Sequence, residues 1–309
     1  MARRSKQSGA ALITAILITA IATIAAVSMA SRQHLDIRRT TNVIESSQAY
    51  LFALGAEEWG KQVLVRDRQD NQIDHLEEEW AMMLPPIDVE GGRVAGHIED
   101  LQGRFNLNNL VKDKQPSSLD MDRLQRLLQQ LGLDENLRFA ILDWIDDDAN
   151  VSIPGGAEDF SYLGLELPYR TPNAMMASTS ELLLINGISR EVYDTLWPHV
   201  TVLPEYTAIN VNTASAEVLM AVVNGLTPSE ADDLIDARVP DGFATVGEFV
   251  GHAAVAGRLS GNEGLSVETN YFIINAESEF GRGRTSLYSL VVRDNQGNVE
   301  VAMRAQGVY

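Results

Sequence analysis

The most informative absences in this 309-residue sequence concern cysteine and basic side chains. There is no cysteine, so neither a disulfide nor a thiolate metal site can form. Lysine and arginine together number 24 against 43 aspartates and glutamates, which gives a net charge of −19 at pH 7. A chain this acidic should repel nucleic acid and anionic lipid surfaces, and it could attract divalent cations or basic partners.

The sequence also lacks the motifs of common enzymes. It contains no nucleophile elbow, Walker loop, HExxH pair or dinucleotide fingerprint. The five histidines are scattered without the spacing of metal ligands, and the four tryptophans are more typical of packing than of binding. We therefore expect a protein that is not an enzyme.

Charge and helix breakers are missing from the first part of the chain. After a basic leader at residues 1–9 (MARRSKQSG), residues 10–30 carry no charge. About 20 apolar residues in a helix rise roughly 30 Å, which spans a bilayer core. No proline precedes Pro85 and no glycine lies between residue 10 and Gly55, so we expect the helix to continue over residues 31–66. The basic leader predicts a single pass through the inner membrane, with the bulk of the chain in the periplasm.

The residues alone leave two interpretations of this helix open. A cleaved secretory signal peptide is the first, and Ser28-Met29-Ala30 resembles a small-x-small cleavage site. The apolar run exceeds the roughly 7–15 residues of a signal core, which favours a helix that stays in the protein. A plain signal anchor and a more specialised helix fit that second interpretation equally well.

The leader ends in Gly9 directly before the apolar run, and in this it resembles the prepilin-class signal. The resemblance implies that a prepilin peptidase cuts between Gly9 and Ala10 on the cytoplasmic side and that the new amino terminus is methylated. Glycine suits the position because a backbone without Cβ lies easily in a protease groove. Ala10 departs from the family pattern, in which phenylalanine or methionine usually follows the cut.

Thr14 is the fifth residue after that cut, where most pilins and pseudopilins carry glutamate. A carboxylate inside the membrane costs about 2.5–3.5 kcal/mol, and in the family it is attracted to the amine of the subunit ahead. Thr14 carries no charge, and its hydroxyl can bond a carbonyl one turn back. The K-type minor pseudopilin of type II secretion lacks this glutamate, and the resemblance implies a position at the pseudopilus tip.

Four segments of the remaining chain are predicted to form strands, and the first of them alternates apolar and polar side chains as half-buried strands do. The first is 93–100 (RVAGHIED), and the other three, separated by hairpin turns, are 271–277, 286–293 and 299–305. We predict an α+β fold in which the long helix packs on a pilin-like antiparallel sheet built from 67–100 and 269–309. Residues 101–268 would then form an inserted α-helical domain.

Leucine periodicity and capping patterns predict helices within the insertion. Leucines recur at steps of three and four over 124–131, and a second helix is expected near 135–146. Ser178 and Glu181 have the spacing of a capping box, so another helix is expected to open there. The segment 227–230 (TPSE) combines a capping threonine, a proline in the first turn and a returning glutamate.

The large insertion is a second point of resemblance to the K-type pseudopilins, whose sheet is interrupted by an unusually large α-domain. Residues 103–108 (GRFNLN) also resemble a segment of that family. The resemblance covers nearly the whole chain. It implies assembly with I-type and J-type minor pseudopilins and the major pseudopilin, to initiate or cap the pseudopilus during protein export across the outer membrane.

Residues 209–219 (INVNTASAEVL), followed by 225–227, resemble a helix-hairpin-helix repeat, and 181–188 (ELLLINGI) is a related piece. In DNA-binding versions the hairpin amides meet a phosphate with basic support. Here acids flank the second hairpin, and they would repel phosphate: Glu230, Asp232, Asp233 and Asp236. The repeats are therefore interpreted as a packing unit with no nucleic-acid partner. The alternative function is a membrane-anchored DNA-binding protein of the competence type.

Residues 143–166 contain seven acids and no lysine or arginine. Carboxylates held close together repel one another, and a hard cation removes that repulsion. Calcium takes about 6–8 oxygen ligands and suits irregular loops, although the spacing here is not that of an EF-hand. From chemistry alone, a solvated acidic loop and a metal site are equally compatible with the sequence.

The K-type family has a WxD-type segment followed by GAE and binds calcium in this region. Residues 144–146 (WID) and 156–158 (GAE) match that pattern. The resemblance implies a structural calcium ion held by Asp146, Asp148, Glu158 and Asp159, with Asp147 and Asn173 as further candidates. A third possible function, a plain signal-anchored calcium-binding periplasmic protein, would share this loop without assembling into a pilus.

Overall fold

The computed structural model describes residues 8–83, 85–259 and 261–307. Its helices are α1 Ser8–Asp70, α2 Ser118–Gln130, α3 Leu137–Ile145, α4 Asp159–Leu163, α5 Arg190–Leu196, α6 Ala216–Val222, α7 Pro228–Ala237 and α8 Val246–Gly251. Four 3-10 helices cover Glu79–Ala81, Leu107–Leu110, Thr179–Leu184 and Trp197–His199. The predicted long helix is present and ends at Asp70 rather than at residue 66.

The longer strands form one antiparallel sheet in the order β1-β2-β9-β10-β11. These strands are β1 Ile87–Val89, β2 Gly92–Asp100, β9 Tyr271–Phe280, β10 Gly283–Arg293 and β11 Val299–Gln306. The remaining strands have two residues each and pair within the insertion: β3 Phe105–Asn106, β4 Val111–Lys112, β5 Gln115–Pro116, β6 Val200–Thr201, β7 Ile209–Asn210 and β8 Leu265–Ser266.

The expectation of four sheet strands was incomplete, because β1 adds a fifth at the edge beside β2. This strand is only three residues long and directly follows two prolines, so its alternation is too short to recognise in the sequence. Both predicted hairpins are present. Phe280 pairs with Gly283 across the first turn, and the Asp294 amide donates to the Asn298 carbonyl at 2.9 Å across the second.

The helix α1 has two unlike parts. Residues 10–44 are all exposed, whereas the following turns contain fully buried side chains such as Ala49 and Ala53. Among the described residues, α1 is the one helix long and apolar enough to cross a membrane, judged by length and composition. The second part packs on the sheet, where Val63 and Leu64 meet Phe272 and other side chains. The first part is therefore available to a membrane or to other subunits.

The strand β9 shows why its sequence reads as almost continuously apolar. Phe272 and Ile274 face α1, while Tyr271 and Ile273 lie in a separate cluster with Leu101 of the connector to the insertion. Both faces of this strand are thus covered at its start. A strand buried on both faces loses the simple alternation of a half-buried one.

The segment between β2 and β9 has a core of its own. This core joins α2, α3, α6 and α7 through leucines such as Leu127 and Leu219. Among the residues that the structure describes, none of α1 or of the five-stranded sheet belongs to it. Two capping predictions can be compared with the structure here. The TPSE segment forms a full capping box at the start of α7. The Ser178–Glu181 box also forms and opens the predicted helix, which is a 3-10 helix.

The asparagines of the GRFNLN segment are buried and link distant parts of the insertion. The Asn106 amide accepts from the Leu203 backbone N–H at 3.1 Å and donates to the Glu205 carbonyl at 2.9 Å. The Asn108 amide accepts from the Met176 backbone N–H at 2.9 Å and donates to the Met176 carbonyl at 3.0 Å. A side-chain amide that both donates and accepts can bond the backbone N–H and carbonyl groups of another segment, as a neighbouring strand would. These asparagines therefore have a structural role.

The helices α6 and α7 are joined by a short turn in which Gly225 has a φ of +72°. Arg258 donates to the Gly225 carbonyl at 3.1 Å and pairs with Glu230 at 2.6 Å. The cation beside the turn is therefore already neutralised by a carboxylate of the same chain. The resemblance of this pair to a helix-hairpin-helix repeat stays a prediction.

Candidate cation site in the acidic loop

The acidic loop connects the end of α3 to the start of α4. Asp146 directly follows α3, and its backbone N–H donates to Leu142 at 2.9 Å. Glu158 directly precedes α4 and is buried. Two helix ends therefore carry the two carboxylates, and the core fixes their positions through the Trp144 and Tyr162 rings, whose centroids lie 5.5 Å apart.

Three carboxylates converge in this loop. Oxygen atoms of Asp146, Asp148 and Glu158 all lie within 4.8 Å of one another. Burial, followed by the charge of Asp148, raises the pKa of Asp146 to about 7. Burial also raises the pKa of Glu158, which Thr171 partly offsets. Burial is the largest cause of both shifts, and the charges of neighbouring carboxylates add to them.

Several oxygens around this cluster have no donor. Among the described residues, Asp146 Oδ1, Glu158 Oε1 and Asn173 Oδ1 are buried without a hydrogen-bond partner. Asn173 has a left-handed backbone, with φ of +46°, and its Nδ2 donates to the Asp148 carbonyl at 2.5 Å. Buried acceptors without donors are costly, and oxygen atoms alone are the ligands that a hard cation prefers. These oxygen atoms therefore fit such an ion as ligands.

The two other predicted ligands have partners within the chain. Asp147 Oδ2 lies 2.9 Å from the Lys114 ammonium, and both side chains are exposed. Asp159 Oδ2 lies 2.8 Å from the Arg170 guanidinium, and its Oδ1 accepts from the Thr171 backbone at 3.1 Å. The structure thus brings together four of the six candidates and turns these two toward side-chain cations.

Asp143 begins the acidic run but was not among the predicted ligands. It is fully buried on α3, and both its carboxylate oxygens accept from the Ser152 N–H, at 3.2 and 3.1 Å. Its charge adds to the raised pKa of Asp146 and of Glu158. A Cβ at Gly156 would lie 2.2 Å from Asp143 Oδ2, which explains a glycine at the start of GAE. Asp143 lies on α3, so its contact with the loop at Ser152 depends on the fold and not on sequence spacing.

The residues predicted to serve processing and assembly lie at the start of α1. Gly9 and Ala10 belong to the first turns of α1, and leader residues 1–7 fall outside the described part of the chain. The Thr14 hydroxyl donates to the Ala10 and Ala11 carbonyls at 3.0 and 2.9 Å. The predicted bond to the preceding turn is therefore present, and the side chain is satisfied within its own helix.

Two family models match the chain. Both are described as type II secretion system (T2SS), protein K, and they cover residues 103–205 and 209–268. Type II secretion system protein K of Pseudomonas aeruginosa is 38% identical over 98% of this chain and 94% of its own length. The corresponding protein of Aeromonas hydrophila is 32% identical over 98% of both chains.

A solved structure agrees with these relatives. A chain in the GspK-GspI-GspJ complex of the enterotoxigenic Escherichia coli type 2 secretion system superposes with a TM-score of 0.79 at 25% identity, over 88% of this chain and 100% of that one. The long helix with an antiparallel sheet is thus shared, and the expectation of a non-enzymatic protein is confirmed by the family. The DNA-binding and plain signal-anchor alternatives give way to this assignment. The chain belongs to the type II secretion system protein K family, the K-type minor pseudopilins.

Proposed function

We propose that this minor pseudopilin is the tip subunit of the pseudopilus, where it initiates or caps the pilus together with I-type and J-type minor pseudopilins and the major pseudopilin. The observation that carries the proposal is the uncharged Thr14, whose hydroxyl is satisfied by its own helix. A subunit with no neighbour ahead needs no carboxylate for that neighbour's amine. The solved relative supports the partners, because it was crystallised as a GspK-GspI-GspJ complex.

The exposed part of α1 supports assembly through this helix. Residues 10–44 have no burial within the subunit, although 10–30 are almost entirely apolar. Apolar surface of this extent is stable in a lipid core or against other helices, and not in water. The helix would thus span the inner membrane before assembly and pack among other subunits afterwards.

Introducing glutamate at position 14 tests the tip position. In a tip subunit the new carboxylate of Thr14→Glu meets no amine, and it costs up to about 3 kcal/mol in the membrane. We expect Thr14→Glu to reduce co-purification with the I-type and J-type proteins, and Thr14→Ser to leave it unchanged. Equal or improved assembly of Thr14→Glu would show that a neighbour ahead supplies a positive charge, and would contradict the tip position.

We further propose that the leader is removed between Gly9 and Ala10 and that the new amine is methylated. The basic leader and the uncharged segment behind it support this, with the bulk of the chain in the periplasm. Mass spectrometry of the protein from the membrane should show a methylated Ala10 terminus, and Gly9→Val should accumulate the uncut form. A mature protein that still carries its leader would contradict the processing.

The acidic loop is proposed to hold a structural calcium ion. Asp146, Asp148, Glu158 and Asn173 would supply oxygen ligands, and three of these residues have buried oxygens without donors. Asp147 and Asp159 border this set and are paired with Lys114 and Arg170. Calcium tolerates irregular oxygen shells better than magnesium, which suits a loop. When bound, the ion would neutralise the repulsion between carboxylates and hold the end of α3 against the start of α4.

A further inference from the structure

The segment 160–168, which includes most of α4 and the loop after it, exposes an unusual amount of apolar surface. Phe160 is 93% exposed and Leu167 is 82% exposed, and Leu163 and Leu165 between them are about half exposed. Single exposed apolar residues are ordinary on protein surfaces, but a contiguous group of large ones typically marks an interaction site. These four side chains, with Pro168, form what we call the apolar tip.

The apolar tip is held in place at its base. The Thr171 backbone N–H and hydroxyl both bond to Asp159 Oδ1 at 3.1 Å, and the hydroxyl also reaches Glu158 Oε2 at 3.1 Å. Arg170 pairs with Asp159 across the same base at 2.8 Å. The loop is thus closed on itself by several polar contacts and presents its apolar residues from a fixed frame.

Tyr162 anchors the middle of the loop to the insertion. Its ring is buried, lies 5.2 Å from the Tyr169 ring and 5.5 Å from the Trp144 ring, and its hydroxyl accepts from the Asn186 N–H at 3.2 Å. The core that receives this ring contains no residue of α1 or of the five-stranded sheet. A partner bound to the apolar tip would therefore leave α1 free to assemble.

The charge around the apolar tip indicates the kind of surface it fits. Glu166 is exposed between Leu165 and Leu167, and exposed Asp147 and Asp148 belong to the neighbouring loop. Lys114 and Arg170 are each already paired with one acid. An acidic border repels anionic lipid and attracts basic side chains. Aromatic and aliphatic anchors that protrude from a surface fit recesses in a partner.

We propose that the apolar tip docks into an apolar recess on a protein partner, and that lysine and arginine border this recess. The partner is bound while α1 is packed in the pseudopilus. Phe160 and Leu167 fill the recess, and Glu166 meets its basic border. The docking requires neither the tip position in the pseudopilus nor a bound cation, so its test stands apart from theirs.

The experiment places a photo-crosslinking phenylalanine analogue at position 160 of the full chain in secreting cells. Val239 serves as the matched control site, because it is apolar, 54% exposed and part of the same insertion. The protein captured from position 160 is identified, purified and tested for binding to the detergent-solubilised full chain. We expect a discrete adduct from position 160 and none from 239, and affinity at least about tenfold weaker for Phe160→Ser/Leu167→Ser, while Val239→Ser binds as wild type.

A second variant separates docking from any effect on folding. Glu166→Lys keeps the apolar side chains and should weaken binding while reducing its salt dependence. The proposal would be overturned if position 160 gave no discrete adduct, or if positions 160 and 239 gave equal adducts. Unchanged affinity of both Phe160→Ser/Leu167→Ser and Glu166→Lys would also overturn it. A lipid surface would replace the protein partner if three results came together. The wild type would bind phosphatidylglycerol vesicles, Phe160→Ser/Leu167→Ser would not, and position 160 would give no protein adduct.

Discussion

Two clusters of three carboxylates differ in whether a side-chain cation of the same chain pairs with them. Asp67, Asp74 and Glu78 meet where the end of α1 approaches the sheet, and Asp146, Asp148 and Glu158 meet in the acidic loop. In the first cluster, the fully buried Arg293 of β10 pairs with Asp67 at 2.7 Å and also with Asp74. In the second, none of the described residues forms an ion pair with any of the three acids.

Arg293 supplies the first cluster with a cation of the chain itself, and we propose that calcium does the same for the acidic loop. Arg293 also lies over the Phe272 ring at 4.9 Å and donates to the Thr269 carbonyl at 2.9 Å, so it ties α1 to the sheet and to the end of the insertion. The guanidinium thus pairs with two of the three acids of this cluster. Among the described residues, no such group pairs with the three acids of the acidic loop, and in our proposal a cation from solution takes its place.

Removal of Arg293 should produce the largest effect. Arg293→Met leaves buried carboxylates without their cation, which costs about 3–5 kcal/mol of unfolding free energy. Arg284→Met on the same strand is the matched control, because the Arg284–Glu279 pair is exposed and contributes at most about 1 kcal/mol. Denaturant unfolding of the three proteins measures both values. A similar, small cost for both variants would contradict the role of Arg293.

Calcium removal should have the next largest effect, and only on the acidic loop. A ligand at about 100 times its dissociation constant stabilises the folded state by about 2.7 kcal/mol, so a chelator should lower the melting temperature of the wild type. Glu158→Gln should melt at the same temperature with and without calcium, whereas Asp147→Asn should respond as the wild type does. If Glu158→Gln keeps the full response, the ion is not in this cluster.

The ion pair between Glu57 and Arg304 lies outside both clusters, and its contribution to stability should be smaller and dependent on pH. Glu57 is buried on α1, and although burial raises its pKa, hydrogen bonds from Arg304 and Ser289 lower it further than burial raises it. Because the folded-state pKa is depressed, this pair stabilises the protein above about pH 4.5, and the contribution is lost as the pH falls through the folded-state pKa.

Arg304→Gln tests this pair. Arg304 is partly exposed, so the variant should lose about 1 kcal/mol at neutral pH and less in acid. Denaturant unfolding at neutral and acidic pH measures the difference, and calcium should not affect it. A cost that does not change with pH would show that Arg304 acts by packing rather than by charge.

The elements that the sequence predicted best depend on local patterns. The long helix, the β2 strand, the two hairpins near the end and the TPSE cap each follow from the spacing of neighbouring residues. β1 was missed because three residues are too few to show a period. The Ser178–Glu181 box identified a helix start correctly, but a capping box does not distinguish an α-helix from a 3-10 turn.

The parts that could not be predicted depend on contacts between distant residues. Arg293 lies 226 positions from Asp67, so no local pattern shows that it neutralises this acid. In the acidic loop, the sequence marked the acids, but Lys114 and Arg170, which pair with Asp147 and Asp159, come from outside the run. Which carboxylates are left without a cation is therefore a property of the folded chain.

Calorimetric titration of calcium into the metal-free full chain in detergent tests the contrast between the clusters most directly. The wild type and Asp147→Asn should bind calcium saturably, and Asp146→Asn/Glu158→Gln should not, although its circular dichroism stays that of a folded protein. Arg293 already pairs with two acids of the other cluster, so we expect no binding to remain in the double variant. Binding of equal affinity by wild type and double variant, or no binding by the wild type, would contradict the assignment of a cation to the acidic loop.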